Sequence, residues 1–107
     1  MKFKTIATLI LVITLPVSAQ NMSHEEIDDI CTKWASMAEG LMENRQVGVP
    51  MSDMMGISPN NTAWRTMVTE AYSQSRYSSD SVRIRVIEEF RDSNYLRCIR
   101  MFSELNK

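Results

Sequence analysis

Two cysteines stand 67 positions apart, each on the apolar stripe of an amphipathic segment, and this placement constrains the fold most. Cys31 lies among Ile27, Ile30, Trp34, Ala38, Leu41, Met42 and Arg45, which recur at three- and four-residue steps. Cys98 shares a second stripe with Tyr95, Ile99, Phe102 and Leu105. A Cys31–Cys98 bridge would clamp the apolar faces of the first and last long helices together. The chain-entropy model assigns closure of so long a loop roughly 4 kcal/mol. That is a large share of the roughly 5–15 kcal/mol by which a typical domain is stable.

Whether the cysteines pair depends on compartment, and the chain's start addresses it. Residues 1–4 carry Lys2 and Lys4, residues 5–15 are an apolar run, and Val17-Ser18-Ala19 supplies the small residues of a cleavage site. The expectation is a cleavable signal peptide over 1–19 and a single disulfide-stapled helical domain over 20–107, periplasmic or secreted. A run of about 11 residues is short against the roughly 20 needed to span a bilayer, which favours cleavage over the alternative of a retained N-terminal anchor; after cleavage no stable membrane insertion is expected. No cysteine stands at the cleavage point, which argues against a lipid anchor.

The chain has 12 basic and 13 acidic residues; Lys2 and Lys4 leave with the leader, so the remainder is formally −3. With no basic run, nothing would draw nucleic acid or an anionic membrane. A domain of this size buries only about 60% of its unfolded surface, which is why a covalent staple matters.

The remaining pattern predicts an all-α fold, a small bundle of three to five helices. Ser23-His24-Glu25-Glu26 reads as a capping box opening the first helix, with acidic residues at the positive end of its dipole. Gly48 and Pro50 end it. Residues 51–59 form a short connection with room for one helical turn capped by Ser52. Asn60-Asn61-Thr62 starts another helix, whose stripe is Trp64, Met67, Val68, Ala71 and Tyr72. Residues 73–79 read as a polar break. Beyond it, Val82, Val86, Ile87 and Phe90 form a stripe one residue out of register with that of Cys98. The offset near Asp92-Ser93-Asn94 leaves open one kinked helix or two short ones. Val82-Arg83-Ile84-Arg85-Val86 alternates like a strand, yet no second strand exists to pair with it.

Few residues point to chemistry, and neither catalytic nor metal-binding residues nor a cofactor are expected. The cysteines lack the close spacing of a redox dithiol. His24, the single histidine, sits at a helix start and not inside a fold. Met51, Met54 and Met55 have the composition of a copper(I) thioether site, but methionines also fill irregular gaps, and eight of the nine scatter beyond the leader. The acidic runs Glu25-Glu26-Asp28-Asp29 and Glu88-Glu89-Asp92 read as solvated faces and dipole partners. Arg76-Tyr77, in a Ser-rich connection near Tyr72, has the residue mixture of binding hot spots, with packing of Tyr77 over helix ends as the plainer alternative.

Cys31, Trp34-Ala35, Met37-Ala38-Glu39, Met42, and Arg45-Gln46-Val47-Gly48-Val49-Pro50-Met51-Ser52 with Met54-Met55 form a longer pattern. It continues through Glu70-Ala71-Tyr72, Arg76-Tyr77-Ser78, Phe90-Arg91, Tyr95 and Cys98, and resembles that of small secreted proteins of tailed phages and bacterial prophages. The resemblance implies a phage or prophage origin and a periplasmic life in a Gram-negative host, without an activity. Acid-stress chaperones and phage antiholins of the periplasm share the outline of secretion, helices and a disulfide, but no residue-level motif.

The functional expectation is a non-enzymatic binding module acting on a protein of the host envelope or lysis machinery. Its candidate contacts are Arg76 and Tyr77 together with Arg45 and Gln46 at the helix-ending turn. A periplasmic stress chaperone or holdase is the alternative.

Overall fold

The computed structural model describes residues 22–106. The expected signal peptide over 1–19 and its expected cleavage site lie outside the described residues. Four helices follow in order: α1 (His24–Val47), α2 (Met51–Ile57), α3 (Thr62–Tyr72) and α4 (Asp80–Leu105). There is no strand among the described residues. The alternating segment 82–86 lies inside α4. Among the described helices, none is long and apolar enough to cross a membrane.

Local chemistry sets both ends of α1. The Ser23 hydroxyl accepts from the Glu26 N–H at 3.1 Å, and Glu26 reaches back to the Ser23 N–H, as the capping box requires. At the other end Gly48 takes φ 92°, where a side chain would be strained. Its N–H bonds the Arg45 carbonyl, and the Val49 N–H bonds the Asn44 carbonyl at 2.9 Å. This is the pair of reversed bonds that closes a left-handed helix end.

α2 is nearly two turns and not one, and its N-cap is Pro50 and not Ser52. Proline's fixed φ and missing N–H suit a position just before a helix starts. Asn61 caps α3, accepting from the Trp64 N–H at 3.0 Å. The Trp64 indole N–H in turn donates to the Met54 carbonyl at 2.7 Å, tying α2 to α3.

α1 and α4 run antiparallel, with early α1 joined to late α4 by the Cys31–Cys98 disulfide, Cα to Cα 5.5 Å. The core lies in two parts. The larger packs Ala38, Leu41 and Met42 of α1 against Met54, Trp64, Met67, Val68, Ala71, Val86 and Phe90. The smaller gathers Ile27 and Phe102 about the disulfide. Trp34 packs against both.

Two expected stripes need correction. On α1, Ile30 is 40% exposed, whereas Ala35 and Gln46 are buried; the stripe ends on Gln46, and Arg45 stands beside it. Four-residue steps from Ile27 through Cys31 reach Ala35, and from Ala38 through Met42 they reach Gln46. On the last segment there is a single continuous helix. Its buried positions are Val86, Phe90, Asn94, Cys98 and Phe102, each four residues from the last. Asn94 spans the offset between the two apolar registers. A polar residue in the buried row makes the pattern look interrupted, although the helix is not.

Candidate functional site

The connection after α3, residues 73–79, contains almost no apolar side chains to hold it by burial. Side chains from two helices satisfy its backbone. From the last turn of α1, Arg45 Nε donates to the Gln74 carbonyl at 3.0 Å. Gln46 Nε2 donates to the Ser75 carbonyl at 2.8 Å, and its Oε1 accepts from the Tyr77 N–H at 2.9 Å. From α4, Arg83 Nε donates to the Tyr77 carbonyl at 2.6 Å and Nη2 to the Ser78 carbonyl at 3.3 Å. Both amide groups of Gln46 are thus used on one loop, which suits a residue only 2% exposed.

Around this clamp the remaining polar groups pack in layers. The Arg45 guanidinium lies 5.1 Å over the Tyr72 ring, a cation–π contact. The Tyr72 hydroxyl donates to the Val49 carbonyl at 2.6 Å, just past the Gly48 turn. Burial pushes the Tyr72 phenol pKa upward; the Arg45 cation opposes that rise and the Asp53 carboxylate adds to it. Arg76 Nε reaches the Gln46 carbonyl at 3.4 Å, and its guanidinium lies so close to Gly48 that a Cβ there would stand 2.9 Å from Nη2.

The structure therefore brings Arg45, Gln46, Arg76 and Tyr77 together at the end of the bundle where α1 stops and α4 begins. Their exposure differs. Arg76 is exposed; Arg45 is half-buried; Tyr77 is half-buried and packs against the larger core; Gln46 is inside. Gln46 thus serves as the clamp under the surface and not as part of it. Sequence reading missed Arg83, which holds the loop from the α4 side. Its position four residues into a helix that follows a polar break was the available signal. It missed also that Arg76 lies over the one glycine with positive φ among the described residues.

The other residues weighed for chemistry lie apart from this end. His24 is exposed at the start of α1. Met54 is buried in the core with Asn44 Nδ2 3.6 Å from its sulfur, Met55 is half-buried and Met51 is 37% exposed. Among the described residues no group of three or more His, Cys, Asp or Glu is placed to hold a metal ion. Ion pairs tie helix to helix elsewhere: Arg97 Nη1 lies 2.8 Å from both Glu70 carboxylate oxygens, and Arg91 Nη1 lies 3.3 Å from Glu39. Both pairs are partly exposed, so water and salt screen them and they join the helices only weakly.

The exposed groups at this end include Arg76 of the loop and, at the end of α1 beside the Gly48 turn, Val47, 67% exposed. Guanidinium donors can pair with carboxylates or backbone carbonyls, and the apolar neighbour adds contact area. No protein-family model matches the chain, and no curated protein or solved structure is significantly similar to it.

Proposed function

We propose that the protein is a non-enzymatic binding module of the periplasm or the secreted space, acting on a protein partner in the bacterial envelope through the Arg76 end of the bundle. The observation that carries this reading is the Gln46 clamp. One buried side chain bonds both Ser75 and Tyr77, so the loop bearing Arg76 is ordered before any partner arrives. Preorganisation lowers the entropy cost of association, which otherwise consumes much of the contact energy. The Cys31–Cys98 bridge supports the same reading, because it limits motion between the two longest helices and fits an oxidising compartment. A phage or prophage origin, with host envelope or lysis proteins as the partner class, is part of the same proposal and rests on the residue pattern over 31–98 alone.

Arg76 is the informative position, since Tyr77 also packs against the core and its truncation would disturb the fold. A photo-crosslinking residue at position 76, expressed in the periplasm of a Gram-negative host, should give a discrete protein adduct. The same residue at the exposed Lys33 of α1 should give none. Arg76→Glu should abolish copurification of the crosslinked protein while the protein stays folded, with no more than a small fall in melting temperature from the lost bond to the Gln46 carbonyl. Identical adducts from both positions, or capture indifferent to the charge reversal, would overturn the assignment.

A further inference from the structure

Asn94 is the odd member of the buried row on α4. It is 1% exposed, and its Nδ2 donates to the Phe90 carbonyl one turn back at 2.9 Å. Its Oδ1 is a buried side-chain acceptor without any hydrogen-bond partner, alone in this among the described residues. A buried acceptor with no donor is destabilising, and natural folds seldom keep one without use. Its location is equally unusual. Asn94 sits between Phe90 of the larger core and Cys98 of the smaller, at the seam of the two apolar clusters.

A groove of about 370 Å³ opens at that seam. Its walls include Trp34 of α1, Thr66 and Met67 of α3, and Asn94 and Met101 of α4. Arg97 also lines it, but its guanidinium is already paired with Glu70. The lining is mostly apolar, in the lower size range of small-molecule sites. The indole of Trp34 favours an aromatic ring by offset or edge-to-face contact, and the two thioethers favour ring edges. Met101 is 52% exposed and unbranched, so it is the wall side chain freest to move aside for a ring.

We infer that this seam is a binding site for a small aromatic molecule carrying one ring N–H donor, of the indole class, with Asn94 Oδ1 as its hydrogen-bond acceptor. The ring fills the groove between α1, α3 and α4, and its N–H supplies the donor that the fold itself omits. This site is separate from the Arg76 end, and neither reading depends on the other.

The test uses disulfide-closed protein with ¹³C-labelled methionine methyl groups, titrated with indole and with indene, which has the same shape but a CH₂ in place of the N–H. Indole should shift the Met67 and Met101 methyl signals saturably while leaving Met51 in place. Indene should bind at least about five-fold more weakly, the effect of one missing hydrogen bond to a buried acceptor. Asn94→Leu, which removes that acceptor at similar volume, should erase the preference while keeping the protein folded. Ala63→Phe, which fills the groove from its rim, should abolish binding of both and keeps the test open should Asn94→Leu not fold. Absence of saturable shifts at Met67 and Met101, equal binding of indole and indene, or an unchanged preference in Asn94→Leu would each refute the site.

Discussion

Gln46 Oε1 accepts the backbone N–H of Tyr77 at 2.9 Å across 31 residues of chain, so the end of the first helix governs the loop before the last. Loss of that side chain leaves the Tyr77 N–H and the Ser75 carbonyl without their partners. Gln46→Leu should therefore lower stability by about 1–3 kcal/mol, the cost of stranded polar groups. Urea denaturation measures the loss. Native-state hydrogen exchange tests its origin, because the Tyr77 amide should lose protection more than amides in the middle of α3.

The disulfide should matter through the unfolded chain. Its 67-residue separation predicts that Cys31→Ser with Cys98→Ser lowers unfolding free energy by up to about 4 kcal/mol. The small cluster of Ile27 and Phe102 should loosen first, since it is built around the bridge, whereas the Leu41–Met67 region keeps its own packing. Methyl and amide signals from the two regions, followed through a denaturant series, would separate them. Equal loosening throughout would contradict the division of the core.

Tyr72 gives a pH dependence of known sign. Its phenol pKa is raised in the folded protein, chiefly by burial. The folded state thus holds the proton more tightly than the unfolded state, whose phenol titrates near 10. The associated stability is complete below about pH 10 and is lost as pH rises through the folded value. Tyr72→Phe should remove this alkaline loss. At neutral pH it should also cost about 1 kcal/mol, because the bond to the Val49 carbonyl disappears.

Two glycines should respond to alanine in opposite directions. A Cβ on Gly40, inside α1, would meet no heavy atom within 4 Å, so Gly40→Ala should stabilise by about 0.5–1 kcal/mol. Gly48 has positive φ, and a Cβ there would press the Arg76 guanidinium. Gly48→Ala should destabilise by about 1 kcal/mol or more. Combining it with Arg76→Ala should recover only the steric part, a separation that thermal melts of the single and double variants would show.

Helix identity was legible in residue order because it rests on local physics. Ser23 and Glu26 make their reciprocal bonds within one turn, Asn61 caps α3 three residues away, and Gly48 supplies the left-handed end. Cys31 and Cys98 advertised their pairing because each stood on a recognisable apolar face. These features need no knowledge of what lies across the fold.

Tertiary structure alone decided which polar side chains went inside. Gln46 and Asn94 read as surface residues by type; four-residue spacing puts each on a buried row, but only the segments packed against them decide that a polar side chain stays inside. Gln46 is buried because a loop some 30 residues later offers it a carbonyl and an N–H. Asn94 is buried because four-residue steps from Phe90 to Cys98 carry it into the α1 interface. Local hydrogen bonds and apolar periodicity determined the helices, whereas the end clamp and the seam groove arise from contacts between segments far apart in the chain. Their energies depend on distances that residue order does not contain.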